Sequence, residues 1–176
     1  MSEIREEVLK TIKKNNIPKL TDEVTLALRG ITEKRASTVA YMIKEAKKRG
    51  LDDEFARAAI QNYGVDGGHA MKTELKDVHD LKEFANCFTS GLESRVYEME
   101  TKVSTEDEFE VNFHYCPYVN RWMQMDIDAD EMATFCEICM EGDRAISNVF
   151  EDIEFHLGNT IAKGGKVCEV HYRKAE

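Results

Sequence analysis

The chain lacks long hydrophobic runs and begins with charged residues. No apolar stretch approaches the roughly 20 residues that a transmembrane helix needs. The first residues, Ser2-Glu3-Ile4-Arg5-Glu6, lead directly into an amphipathic charged pattern and do not resemble a signal peptide. We therefore expect a protein of the cytoplasm that does not bind membranes.

Basic residues are scarce relative to acidic ones. The chain has 24 lysines and arginines against 34 aspartates and glutamates, so its formal net charge is −10 at pH 7. A surface of this sign repels phosphate backbones, and nucleic-acid binding is not expected. The one basic stretch, Lys44–Arg49, is predicted to end a helix, where it complements the helix dipole.

Cysteines are few and odd in number. Five cysteines fit the reduced thiols of a cytosolic protein better than a framework of disulfides. Four of the five cysteines and three of the five histidines lie between residues 114 and 171. If the protein carries out chemistry, we expect it in this last third of the chain.

Residues 1–90 show helical spacing of their apolar side chains, interrupted by turn signals. Thr32 is predicted to cap a long helix, and the helix after that one is predicted to end at Gly64. Asp66-Gly67-Gly68 is predicted to form a turn, which a further helix over about 78–90 follows.

After Gly91 the hydrophobic period changes. Phe109, Val111, Phe113 and Tyr115 alternate with polar residues, which predicts a strand with one apolar face. A weaker pattern predicts a strand over 95–103, and a strong one predicts a helix of about 20 residues capped by Asp128. Two further strands are predicted near 153–157 and 167–172.

The predicted fold class is α+β, with N-terminal helices followed by an antiparallel β-sheet that has a long helix packed on it. The expected organisation is a helical region over 1–90 and a site-bearing α+β region over 91–176. Together they are expected to form one compact domain.

The Asp128-capped helix has a carboxylate on its apolar face. Asp143 follows Cys139 by four residues, and both share that face with Met132, Phe135 and Ile146. A carboxylate there must be hydrogen-bonded or paired with a cation, because burying even an uncharged polar group without a hydrogen bond costs about 2–7 kcal/mol. The spacing leaves two readings open: a structural aspartate, or a pocket carboxylate that binds a cation or transfers protons.

A thiol and an imidazole lie two residues apart at the end of the predicted strand. His114 and Cys116 are therefore predicted to project from one face, where His114 could help Cys116 form a nucleophilic thiolate. The alternative is that Cys116 is a small core residue. Cys139 and Cys168 fall on apolar faces and are expected to pack in the core. A zinc site could be built from His114, Cys116, Cys139 and Cys168, but their spacing matches no standard zinc-binding pattern.

Three arginines are candidates to hold a substrate carboxylate through paired hydrogen bonds: Arg95, Arg121 and Arg144. Each of them also suits an ordinary surface position. Trp122, the only tryptophan, is expected to pack a short helix onto the sheet.

Three segments carry a family resemblance: 114–118 with Trp122 after it, 135–144, and 160–171. They contain, in order, a Cys-Pro pair, a helical cysteine with an aspartate four residues later, and a thiol after a Thr-Ile-x-x-Gly turn. In this order they resemble the L-2-amino-thiazoline-4-carboxylic acid hydrolase family. A weaker similarity lies at 63–68.

The resemblance implies a hydrolase that opens a small cyclic C–N substrate, such as an aminothiazoline carboxylate. It implies a catalytic set of Cys116, Asp143 and His114. Cys139 and Cys168 would line the same pocket, and the substrate-binding set would also include the residues Arg121, Trp122 and Arg144. The scheme requires no metal and no cofactor.

Two alternatives stay open beside the hydrolase. One is a non-catalytic small-molecule-binding module of the same fold, and the other is a thiol-ligated metal protein. The carboxylate of Asp143 disfavours the metal protein, because a hard ligand suits soft thiolate sites poorly. The expected partner is a small-molecule substrate. Self-association into a homo-oligomer is left open.

Overall fold

A computed structural model describes residues 3–175. The predicted regions 1–90 and 91–176 therefore each have an end outside the described residues. Within them the chain forms, in order, α1 (Glu3–Asn15), α2 (Glu23–Lys48), α3 (Glu54–Glu74), α4 (Leu81–Ser90), α5 (Glu93–Tyr97), β1 (Met99–Ser104), β2 (Glu108–Phe113), α6 (Pro117–Gln124), α7 (Ala129–Asn148), β3 (Ile153–Leu157) and β4 (Cys168–Lys174). A short 3-10 helix, Ile161–Lys163, precedes β4.

The strands form one antiparallel sheet in the order β1-β2-β4-β3. The predicted alternation in β2 is confirmed: Phe109, Val111 and Phe113 are buried, and Phe113 pairs with Cys168 of β4 across the sheet. The last strand alternates in the same way, with Cys168, Val170 and Tyr172 buried. The predicted α+β class is therefore confirmed, with α7 in contact with β3 at one side of the sheet.

The side chain of Asp128 caps α7, as predicted, by accepting from the backbone N–H groups of Asp130 and Glu131 at 3.0 Å each. The cap of α2 was predicted wrongly. Asp22 caps it ten residues before Thr32, whose hydroxyl donates to the Leu28 carbonyl inside the helix. A threonine in mid-helix satisfies its hydroxyl locally in this way, so its side chain alone does not mark a helix start.

The predicted end at Gly64 and the predicted turn at 66–68 are also wrong, because α3 runs through both. Gly64 and Gly68 are buried, and both face α7. A Cβ on Gly64 would lie 2.8 Å from Cβ of Ala145, and one on Gly68 would lie 2.7 Å from Cγ2 of Val149. These glycines allow two helices to approach closely.

The predicted strand over 95–103 is shorter than expected. Its first part is the helix α5, and only Met99–Ser104 is extended. Glu98 follows the last residue of this helix, has a left-handed backbone with φ of 51°, and is buried in an ion pair with Arg29. The first residues of the predicted strand are therefore a short helix that ends at a buried ion pair.

Glu98 and Arg29 are nearly inaccessible, with side-chain exposures of 7% and 4%. One Glu98 oxygen accepts from Arg29 Nη2 at 2.8 Å and from the backbone N–H groups of Lys19 and Leu20 at 2.6 and 2.8 Å. Burial raises the pKa of Glu98, but these donors together lower it by more, so the net pKa is below its ordinary value. The pair joins the start of α2 to the junction of α5 and β1.

We expect Glu98→Gln to destabilise the protein by about 1–2 kcal/mol near neutral pH, because Arg29 loses its buried counter-charge. A lowered folded-state pKa stabilises the fold above the unfolded-state pKa of the carboxyl, and this contribution is lost as pH falls through the folded-state value. Urea unfolding should therefore show that the difference in free energy of unfolding between wild type and Glu98→Gln becomes smaller in acid. A difference that is unchanged at about pH 3 would contradict this account.

None of the helices within residues 3–175 combines the length and the apolar character that a bilayer span requires.

Candidate functional site

A cavity of about 510 Å³ lies between the helices and the sheet. Its wall comes from α2, α3, α4, α5, α6 and α7, together with the inner ends of β1, β2 and β4. Most of the lining is apolar or aromatic. The remaining residues divide into thiols and charged groups: Cys87, Cys116, Cys136, Cys139 and Cys168, and Arg35, Asp66, Glu93 and Asp143. All five cysteines of the chain therefore line one cavity.

Asp143 lies on the cavity wall, one helical turn after Cys139, and is partly accessible because it faces the cavity. Burial raises the pKa of Asp143, with a smaller contribution from nearby Glu93, whereas its own backbone N–H, Arg35 and Arg144 lower it, and the resulting pKa is about 7. Its side chain accepts no hydrogen bond from another residue of the described chain, although a hydrogen-bonded aspartate was expected. An unpaired carboxyl that is half ionised near neutral pH is suited to proton transfer.

Asp143→Asn is expected to change stability in a pH-dependent way. A folded-state pKa above the ordinary 3.8 means that Asp143 costs stability progressively as pH rises to about 7. We expect the variant to match wild type at about pH 3.5 and to be about 1–2 kcal/mol more stable at about pH 8, after allowance for water in the cavity. Urea unfolding across this range measures the difference. A variant that is less stable than wild type at high pH would contradict the raised pKa.

Cys116 lies where β2 has ended and α6 begins. The buried side chain of Asn16 holds its backbone at both ends: Cys116 N–H donates to Oδ1 of Asn16 at 2.8 Å, and Nδ2 of Asn16 donates to the Cys116 carbonyl at 3.0 Å. Burial raises the pKa of Cys116 to about 11, although the backbone N–H groups of Val119 and Tyr118 at the start of α6 lower it. At neutral pH Cys116 is therefore a thiol.

Three other thiols of the cavity share this environment. Burial raises the pKa of Cys136 to about 12 and that of Cys139 and Cys168 above their ordinary values. Cys168 also accepts a hydrogen bond from the Ile161 N–H at 3.3 Å. The structure thus places Cys116, Asp143, Cys139 and Cys168 around one cavity.

His114 does not join them, and its expected pairing with the Cys116 thiol is wrong. Its Nε2 lies 2.8 Å from Oε2 of Glu100 on β1, in a separate open groove. The prediction extended the alternation of β2 beyond Phe113, where the strand ends. Because the next residues turn into α6, His114 and Cys116 do not keep the common face that two strand residues would share.

Two predicted substrate-binding arginines also lie outside the cavity lining. Arg144 pairs with Glu141 at 2.8 Å, and Arg121 donates from Nε to the Ser37 hydroxyl at 2.7 Å. Arg95, the third candidate, pairs with Asp22. Trp122 does line the cavity, but the expectation that it packs its helix onto the sheet is wrong. Its indole N–H donates to the Ala36 carbonyl at 3.1 Å and so fixes α6 against α2.

Arg35 and three tyrosines line the cavity, and the sequence-based interpretation did not name any of them as site residues. The guanidinium carbon of Arg35 lies 4.1 Å from the centroid of the Tyr63 ring, and Tyr97 and Tyr118 lie in the same wall. Arg35 lies next to the apolar positions Ala36 and Val39 of α2, which is the one signal that places it near a buried surface.

Within residues 3–175, no group of three or more histidine, cysteine, aspartate or glutamate side chains is arranged to hold a metal ion.

Fold and cavity define a class of protein: an α+β domain with an enclosed cavity lined by thiols and a carboxyl group. Residues 29–172 match the family described as L-2-amino-thiazoline-4-carboxylic acid hydrolase, and the chain belongs to this family. No curated protein matches the chain.

A solved structure supports the fold. The chain is similar to a trafficking protein particle complex subunit 3 from Naegleria fowleri, described as covalently bound to palmitic acid. The TM-score is 0.51 and the sequence identity 14%, with 82% of this chain and 95% of the other chain covered. At this identity the likeness concerns the fold alone.

Proposed function

We propose that this protein hydrolyses a small cyclic C–N substrate, such as an aminothiazoline carboxylate, within the cavity. One observation carries the proposal: a carboxyl group with a pKa of about 7, Asp143, lines the same enclosed space as the Cys116 thiol at the start of α6. Membership of the hydrolase family supports the choice of reaction.

In the proposed reaction the Cys116 sulfur adds to the C=N carbon of the substrate ring, and its proton passes to Asp143. The ring C–S bond then breaks, and Asp143 returns the proton to the departing sulfur. A water molecule then adds to the same carbon, and the bond between this carbon and the Cys116 sulfur breaks. The water oxygen becomes the carbonyl oxygen of the product, one water proton returns to the Cys116 sulfur, and the other goes to the substrate nitrogen of the former C=N bond. The net change is the addition of one water, which yields carbamoyl-cysteine.

The high pKa of the Cys116 thiol does not exclude this step. A thiol with a pKa near 11 needs a base at the moment of attack, and Asp143 is ionised in part of the molecules at neutral pH. The N–H groups of Tyr118 and Val119 favour negative charge on the sulfur as it develops.

The test is incubation of the purified protein with 2-amino-thiazoline-4-carboxylate. We expect a product heavier than the substrate by one water, with one new free thiol per molecule formed. A thiol reagent and mass spectrometry measure both. Protein that is folded by circular dichroism but leaves the substrate intact across the neutral pH range would contradict the proposal.

A second candidate is a non-catalytic module that stores or senses an apolar ligand. Two observations favour it: the cavity is mostly apolar with its thiols protonated, and the fold is shared with a protein described as covalently bound to palmitic acid. Intact mass spectrometry of freshly purified protein distinguishes the two. A mass increase equal to one acyl group would favour this candidate over the hydrolase.

A further inference from the structure

Arg35 is a half-buried cation without a carboxylate partner in the described part of the chain. Other arginines there form ion pairs: Arg29 with Glu98, Arg57 with Glu141 and Asp53, Arg95 with Asp22, Arg144 with Glu141, and Arg173 with Glu108. Arg35 instead lies against the face of the Tyr63 ring and lines the cavity.

This environment keeps the guanidinium charged. Burial disfavours its charge, but neighbouring Tyr118 and Tyr63 raise the pKa of Arg35 above its ordinary value. Contact with an aromatic face stabilises the cation, and a hydrogen bond to Tyr63 uses part of its donor set. A guanidinium has five N–H donors in its plane, so the others stay available for an anion that enters the cavity.

Arg35 is also the only cation among the described residues that line the cavity. Asp143 of α7 lines the same cavity. The two residues form no ion pair with one another in the described structure, although Arg35 lowers the pKa of Asp143. An enclosed space with an unpaired cation on α2 and an unpaired acid on α7 complements a ligand that carries both charges.

We propose that Arg35 binds the carboxylate of the substrate while the amidine end lies near Asp143. This inference rests on the proposed function and names its substrate class: small amidine-bearing carboxylates rather than neutral amidines. A planar guanidinium holds a carboxylate through two parallel hydrogen bonds, which a lysine does not reproduce. Arg35 is then a binding residue that selects the acid form of the substrate.

The test compares two ligands and four proteins. The ligands are 2-amino-thiazoline-4-carboxylate and 2-aminothiazoline, which lacks the carboxylate. The proteins are wild type, Arg35→Gln, Arg35→Lys, and Arg49→Gln as a matched control at the exposed residue that follows the same helix. Steady-state kinetics and calorimetric binding are measured for each pair, and circular dichroism confirms folding.

In Arg35→Gln we expect KM and Kd for the acid to rise about 10- to 100-fold, since a charge-assisted pair is lost, while kcat changes less than about 3-fold. Arg35→Lys should recover part of the loss. The preference of wild type for the acid over 2-aminothiazoline should disappear in Arg35→Gln and persist in Arg49→Gln.

The outcomes separate the two proposals. If Arg35→Gln turns over the acid with an unchanged KM, the role of Arg35 is wrong and the proposed hydrolase survives. The same holds if wild type shows no preference for the acid. If wild type neither binds nor hydrolyses either ligand, both the hydrolase and the role of Arg35 are overturned.

Discussion

Asp143→Asn is expected to reduce turnover of 2-amino-thiazoline-4-carboxylate by about 10²- to 10⁴-fold, which is the usual contribution of a positioned general base. Asparagine has a similar shape but takes up no proton. In wild type, activity should rise with pH through about 7, because the ionised form of Asp143 acts as the base. The pH–rate profile and the turnover number of both proteins measure this.

A matched control lies on the same helix. Asp130 is exposed near the start of α7 and pairs with Arg5, far along the helix from Asp143. Asp130→Asn should therefore keep wild-type turnover. Cys116→Ala tests the nucleophile separately: a loss as large as that in Asp143→Asn supports attack by the thiol. Full activity in Cys116→Ala would show that water attacks directly.

Gly64→Ala is expected to destabilise the fold by about 3 kcal/mol, at the upper end of the range for overpacked positions. The added Cβ would lie 2.8 Å from Cβ of Ala145 and closer still to the carbonyl oxygen of Gly142. Backbone of α7 cannot yield as a flexible side chain does, so the two helices must separate. Alanine's better helix propensity, about 1 kcal/mol, offsets only part of this cost. Urea unfolding measures the change.

The chain offers a close control three residues later. A Cβ on Gly67 would meet its nearest atom, Cγ1 of Ile146, at 3.8 Å, which is ordinary van der Waals contact. Gly67→Ala should therefore stabilise the protein by about 0.5–1 kcal/mol through helix propensity. Equal stabilities for the two alanine variants would disprove the close helix contact at Gly64.

The sequence predicts those parts of the fold and site that follow from local periodicity. The alternation in β2 identifies its buried face, and the three- and four-residue spacing in α7 places Asp143 and Cys139 on one side. Periodicity requires no knowledge of neighbouring elements, so a single strand or helix contains all the necessary information.

The incorrect predictions concern residues whose structural role depends on a segment far away in the chain. Glycines favour a helix end or a turn when only the neighbouring sequence is considered. Gly64 and Gly68 instead allow the close approach of α7, about 80 residues later in the chain. His114 was placed beside Cys116 because strand alternation was extended past Phe113 into the start of α6. Arg35 lies within a run of charged residues, and only the folded structure shows that it lines a cavity.

The two hydrogen bonds between Asn16 and the Cys116 backbone show that residues before the family match support the cavity. Asn16 and its neighbour Asn15 lie at the end of α1, before the family match that starts at residue 29. Asn15 donates to the carbonyls of Gly164 and Gly165 at 3.2 and 3.0 Å, in the loop that leads to Cys168. One helix end outside the shared family segment therefore fixes the backbone next to two cavity thiols. Relatives that align equally well over that segment can differ in this anchor, and hence in how rigidly they present the same cysteines.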